Sequence, residues 1–194
     1  MPARRRRPLP LLLAALALAA AAPGCGNERA PVPETPLPGV RLGDNPLDDP
    51  KAGYSLIAPA GWTVTSGQPP EVTTIASGAA IVSLLRYPRT ETLPRTKAEL
   101  DRAMADLIAA AKARDPSFTV IRSARTRVDG KPAVEIRATE TIAGVPRTVR
   151  SAHVYAHGAE FVVDMYAPND DFRRIDALYF RPLLRSLELR APTA

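Results

Sequence analysis

Residues 118–166 read FTVIRSARTRVDGKPAVEIRATETIAGVPRTVRSAHVYAHGAEFVVDMY, and the way apolar residues alternate along them decides the fold. The first segment puts Phe118, Val120, Ala124 and Val128 on one face of a strand, and the next puts Val134, Ile136, Ala138 and Ile142 on one face. Strand side chains alternate with period two, so two even-numbered sets joined by a hairpin require an odd number of loop residues. The simplest solution is a three-residue loop, Asp129–Lys131, with Gly130 left-handed, and the same parity predicts a three-residue loop Ala143-Gly144-Val145. Ala152, Val154 and Ala156 then face the core, and a two-residue His157-Gly158 turn accounts for the switch to the odd-numbered Phe161, Val163 and Met165. The reading is a four-strand antiparallel meander with one apolar face and one solvated face.

Working outward, Tyr54–Ala58 and Trp62–Thr65 read as short strands around Pro59-Ala60-Gly61, and Val72–Ser77 and Ala80–Tyr87 as a pair around Gly78. Thr96–Arg114 is the clearest helix: Thr96 and Glu99 have capping-box spacing, Leu100, Met104, Leu107 and Ala111 share a face, and Asp115-Pro116 stops it. A second helix is expected to begin near Asn169, Asp170 or Asp171 and to present Phe172, Ile175 and either Leu178 or Tyr179, with Pro182 interrupting or restarting it. Leu187-Glu188-Leu189 closes the chain as a short strand, and Trp62 is expected to anchor the core beside Tyr54. The fold class is therefore α+β, an antiparallel sheet flanked by helices, over residues 53–194.

The 194-residue chain carries 26 Lys and Arg against 20 Asp and Glu, but Arg4–Arg7 supply four of the positives. Over residues 25–194 the balance is 22 to 20, and no basic stripe interleaved with aromatics appears, which argues against a nucleic-acid partner. Arg4–Arg7, the apolar run Leu9–Ala22 and the small residues before Cys25 have the anatomy of a secretory signal over residues 1–24, and the run is shorter than the roughly 20 residues a membrane-spanning helix needs. Ala22-Pro23-Gly24-Cys25 resembles the lipobox of bacterial lipoprotein precursors. That resemblance implies lipidation of Cys25 with acyl chains such as palmitate, and anchoring to the extracytoplasmic side of the bacterial cell envelope. Residues 25–52, with Pro31, Pro33, Pro36, Pro38, Pro46 and Pro50 among charges and small residues, read as a flexible, disordered tether.

One constellation has chemical potential. On the solvated face of the meander the expected register sets Glu135 opposite His153 with Asp164 diagonal to it, an arrangement that could serve acid–base or metal chemistry. The competing reading is a charged sheet face in which Arg125 pairs with Glu135 and Arg137 with Asp164. The second reading is preferred because a flat sheet face has no pocket. His157 is explained by an exposed hairpin tip, and a single cysteine and two histidines leave no cysteine or histidine metal cluster. GxSxG, HExxH, P-loop and GxGxxG motifs are absent.

The stretch Tyr54-Ser-Leu-Ile-Ala-Pro-Ala-Gly-Trp62-Thr-Val64 resembles the opening of PsbP-like domains. Further similarities follow in order: Gly130-Lys-Pro-Ala-Val-Glu135, the Tyr155–Tyr166 hairpin and Phe180-Arg-Pro-Leu-Leu-Arg-Ser-Leu187. The resemblance implies an α/β/α sandwich and an accessory or binding role, with no catalytic, metal or cofactor residue to transfer. The expectation is a non-catalytic, membrane-anchored lipoprotein that binds an envelope protein. The alternatives are a carrier of a lipophilic ligand, in a cavity lined by Leu100, Met104 and Leu107, and an envelope hydrolase or metal-dependent enzyme built on Glu135, His153 and Asp164.

Overall fold

The computed structural model describes residues 42–193. The signal segment, Cys25 and the tether up to residue 41 lie outside the described residues. The elements, in order, are β1 (Leu42–Asp49), β2 (Tyr54–Pro59), β3 (Thr63–Ser66), β4 (Glu71–Ser77), β5 (Ala80–Pro88), α1 (Lys97–Arg114), β6 (Thr119–Val128), β7 (Lys131–Ile142), β8 (Val145–Ala156) and β9 (Ala159–Pro168). A helical run follows, α2 (Asn169–Ile175), a π-helical turn (Asp176–Phe180) and α3 (Arg181–Ser186), and then β10 (Glu188–Leu189). Leu42–Asp49 belongs to the stretch read as tether, yet it forms a strand antiparallel to β2, with Leu47 opposite Leu56 and packed against the main core. Two leucines five residues apart, with one proline and three aspartates, give no period-two alternation to announce an edge strand.

Seven strands form one antiparallel sheet in the order β3-β4-β5-β9-β8-β7-β6, and β1-β2-β10 form a second. The meander β6–β9 and its His157-Gly158 turn are as expected, but the first two connections are not. Val128 pairs with Lys131 and Ile142 with Val145, so Asp129-Gly130 and Ala143-Gly144 are two-residue turns, like His157-Gly158. Both residues of all three turns have positive φ, 49° to 77°, the requirement of the type I′ hairpin whose twist matches that of the strands. Each shortened loop moves the next strand's side chains to the opposite face. A bulge at Ile121 does the same within β6 and splits the set Phe118, Val120, Ala124, Val128 between the two faces.

The sheet is consequently buried on both faces rather than one. Val128, Ala133, Ala152, Val154, Phe161, Val163 and Met165 pack under the C-terminal helical run together with Tyr54, Leu56 and Trp62. Phe118, Val134, Ile136, Ala138 and Val149 pack on the other face under α1. The helical run begins at Asn169 and buries Phe172, Ile175, Tyr179 and Phe180, while Leu178 is 40% exposed. Pro182 lies in the first turn of α3, and the Arg181 N–H reaches back to the Asp176 carbonyl across the widened turn. Trp62 packs at a tilt against Tyr179, 5.2 Å between ring centroids, within the cluster that holds Tyr54.

The crossover creates the site. The chain leaves β5 beside β9 in the middle of the sheet, crosses one face as α1, and enters β6 at the far edge. Its N-terminus carries the expected capping box: the Glu99 N–H donates to Thr96 Oγ1, and the Thr96 N–H donates to Glu99 Oε2 at 2.8 Å. The helix packs on β6 and β7. The floor made by β8, β9 and the end of β5 therefore stays open along one side of the helix.

Candidate functional site in the groove beside α1

That opening is a cleft of about 270 Å³ lined by Leu107, Ala110, Ala111 and Arg114 of α1, Phe118, and the strand residues Tyr87, Glu140, Ser151, His153, Glu160 and Asp164, among others. An adjoining lobe of about 410 Å³ is more apolar, with Leu93, Pro94, Ala103 and Tyr155, and shares Arg89, Leu107, Ala110 and Glu160 with the cleft. Leu100, Met104 and Leu107 pack with Val134 and Tyr155, so of the three only Leu107 reaches the cleft.

The expected constellation does not assemble. Glu135 pairs with Ala152, not His153, and so points to the opposite face, where its Oε1 lies 2.5 Å from Arg150 Nη1. The pairings Arg125–Glu135 and Arg137–Asp164 fail for the same reason: Arg125 bonds Asp101 on α1, and Arg137 lies 5.0 Å over the Phe172 ring. His153 and Asp164 do share the α1 face, because the β8–β9 register is as expected, with His153 opposite Val162 and Ser151 opposite Asp164.

The partners of His153 are Glu160 and Ser151. Its Nδ1 lies 2.7 Å from Glu160 Oε1, and its Nε2 lies 3.0 Å from Ser151 Oγ. Glu160 is also ion-paired to Arg89, and Ser151 Oγ hydrogen-bonds Asp164 Oδ1. Parity alone would have found Glu160, which stands two residues before Val162 and so on the face of Asp164. The expected register puts Glu135 in that place instead.

Burial raises the Glu160 carboxyl, but the hydrogen bonds and charges of His153 and Arg89 outweigh it and hold the group below the ordinary carboxylate range. Asp164 goes the other way, since burial dominates over the Ser151 hydrogen bond and the charges of His153 and Arg114. Burial likewise raises Glu140, against the opposing charge of Arg114. A folded-state value above the unfolded one means that the folded protein keeps a proton the unfolded chain has lost, so this contribution weakens stability as pH rises through that window. Asp164→Asn mimics the protonated carboxyl. It is expected to raise the urea midpoint at pH 7, with the gain shrinking as pH falls toward about 4, the ordinary aspartate value.

Among the described residues no group of three or more His, Cys, Asp and Glu is arranged to hold a metal ion, and no helix is long and apolar enough to cross a membrane. His157 sits at its hairpin tip with φ 49°, and its Nε2 is 3.0 Å from the Leu189 carbonyl.

An antiparallel sheet held between one crossover helix and a C-terminal helical run is the PsbP-like α+β fold. The cyanobacterial PsbP of Synechocystis sp. has this architecture, with a TM-score of 0.60 at 12% identity, over 80% of this chain and 98% of that one. The Ran-binding protein Mog1p of Saccharomyces cerevisiae matches with a TM-score of 0.52 at 6% identity, over 77% of this chain and 97% of that one. A Pseudomonas aeruginosa protein of unknown function matches at 0.50 and 14% identity, over 72% of this chain and 92% of that one. The likeness is one of fold. No family model matches the chain, and none of the curated proteins matches it in sequence.

Proposed function

We propose that the protein is a lipid-anchored accessory module of the bacterial cell envelope that binds a partner protein through the groove beside α1. The observation that carries this reading is the groove itself. Both faces of the sheet are covered, yet α1 leaves uncovered a polar floor flanked by an apolar lobe, which suits a protein segment with an apolar anchor and hydrogen-bonding neighbours. The Ran-binding activity of Mog1p, on a related fold, is consistent with a binding role. The lipobox-like Ala22-Pro23-Gly24-Cys25 supplies the anchor.

Two measurements test this. A photo-crosslinking amino acid placed at Ala110 should capture a discrete envelope protein in cells, and the same group at Ile121, 51% exposed on the edge strand β6, should not. Equal capture from both positions, or none from Ala110, sinks the groove as the binding site. Cys25→Ser is expected to move the protein from the membrane fraction to the soluble one. Persistence with membranes refutes the anchor.

A further inference from the structure

The chain Ser151–His153–Glu160 has the order and spacing of a nucleophile, a base and an orienting carboxylate, and it stands in a cleft. We infer that Ser151 is a nucleophile, activated by His153, that attacks the carbonyl carbon of an ester whose apolar acyl part lies in the lobe lined by Leu93, Pro94, Ala103, Leu107 and Tyr155. The geometry comes first: Ser151 Oγ to His153 Nε2 is 3.0 Å, and His153 Nδ1 to Glu160 Oε1 is 2.7 Å. Arg89 in turn holds Glu160, whose side chain is only 5% exposed. A purely structural salt bridge needs none of the serine contact, and a solvated sheet face needs none of the cleft.

Asp164 is the second partner of Ser151 Oγ, which donates to its Oδ1, and burial raises the Asp164 carboxyl. When Asp164 takes up a proton it no longer needs that donor, and the serine hydrogen is free to turn to His153 Nε2, 3.0 Å away. With Nδ1–H donating to Glu160, every group in the row is then satisfied.

In the proposed step Oγ forms a bond to the carbonyl carbon while its proton passes to His153 Nε2. The tetrahedral centre collapses, the bond to the leaving alcohol breaks, and the alcohol departs with that proton. Water then attacks the acyl-Ser151 ester by the same relay, giving the free acid and restoring the serine. Tyr87, Arg89 and Arg114 line the same cleft and are side chains available to meet the developing oxyanion. Glu160 is a positioning residue. This reading goes beyond the binding role and shares only the groove with it.

The test uses the purified protein and a fluorophosphonate probe, whose P–F bond breaks as Ser Oγ attacks phosphorus. The expected result is a single adduct mapped to Ser151 by peptide mass spectrometry, lost in S151A. In H153A, at unchanged folded fraction by circular dichroism, the labelling rate should fall about 100-fold or more, the scale of a general base. For Glu160 the readout is proton NMR: the His153 Nδ1–H resonance should persist in S151A and vanish in E160Q, whose labelling rate should also fall. Wild-type labelling no faster than S151A, an adduct on another residue, or a folded H153A that reacts like wild type overturns the proposal. The Ala110 crosslink is read independently, so loss of one result leaves the other standing.

Discussion

Asp176→Ala is expected to destabilise the fold by about 3–5 kcal/mol, the cost of breaking a buried ion pair by removing one member. Asp176 is 1% exposed and takes two hydrogen bonds from Arg150, at 2.6 and 2.8 Å, and one from Arg181 at 2.9 Å. Arg150 is itself 7% exposed in the middle of β8, and burial alone would lower its pKa, but Asp176 and Glu135 reverse the effect. Removing Asp176 takes away two of the guanidinium's hydrogen bonds and leaves Glu135 as its remaining carboxylate partner. A double replacement, Arg150→Met with Asp176→Leu, removes both charges and is expected to cost far less than the single change, because the desolvation penalty disappears with them. Urea denaturation of the two variants decides it: a single mutant as stable as the double would show that the pair does not hold the helical run to the sheet.

Phe172→Ala should cost a similar amount, about 3–5 kcal/mol for emptying a buried aromatic site. The ring is 1% exposed, meets Phe180 at a tilt with 5.9 Å between centroids, and lies under the Arg137 guanidinium at 5.0 Å. Arg137 Nε has no hydrogen-bond partner, so the ring is what its buried edge packs on. Leu178→Ala, six residues along the same helical run, should stay within about 0.5 kcal/mol, as surface changes do. A shifted midpoint with an unchanged denaturant slope is the expected signature for Phe172→Ala. If Leu178→Ala proves the more costly, the phase of the helical run is wrong.

The helical phase was half legible in the sequence. Spacing alone left Leu178 and Tyr179 open, because a π-helical turn advances the face by more than an α-helical period allows, and no local signal beyond Pro182 marks it. By contrast α1 was readable to its cap, since Thr96 and Glu99 encode the box directly. The meander was legible as four strands, but its register only between β8 and β9. The error came from assuming one buried face: Val134, Ile136 and Ala138 and the set Ala152, Val154 and Ala156 were placed together, whereas they lie on opposite sides of the sheet. Sheets covered on both faces lose the polar half of the alternation, and register then rests on turn chemistry. Asp129-Gly130 was the clue, as an Asp-Gly pair favours a two-residue turn. With that register Glu160 replaces Glu135 beside His153, and the site follows.

The strands β1 and β10 flank β2, one on each side, both antiparallel to it. Gly53 makes this possible at one end: with φ 80°, it leaves no room for a Cβ, which would lie 2.5 Å from the Arg190 carbonyl oxygen. The Thr193 N–H bonds the Pro50 carbonyl at that same end, while Leu42 pairs with Pro59 at the other. The two ends of the described chain are thus separated by little more than the six-residue β2, about 20 Å. A circular permutant that joins them through a short extended linker and opens the chain at Ala143-Gly144, an exposed turn, would preserve every strand pairing, and the order in which the strands are synthesised is then free to vary while the groove beside α1 stays the same.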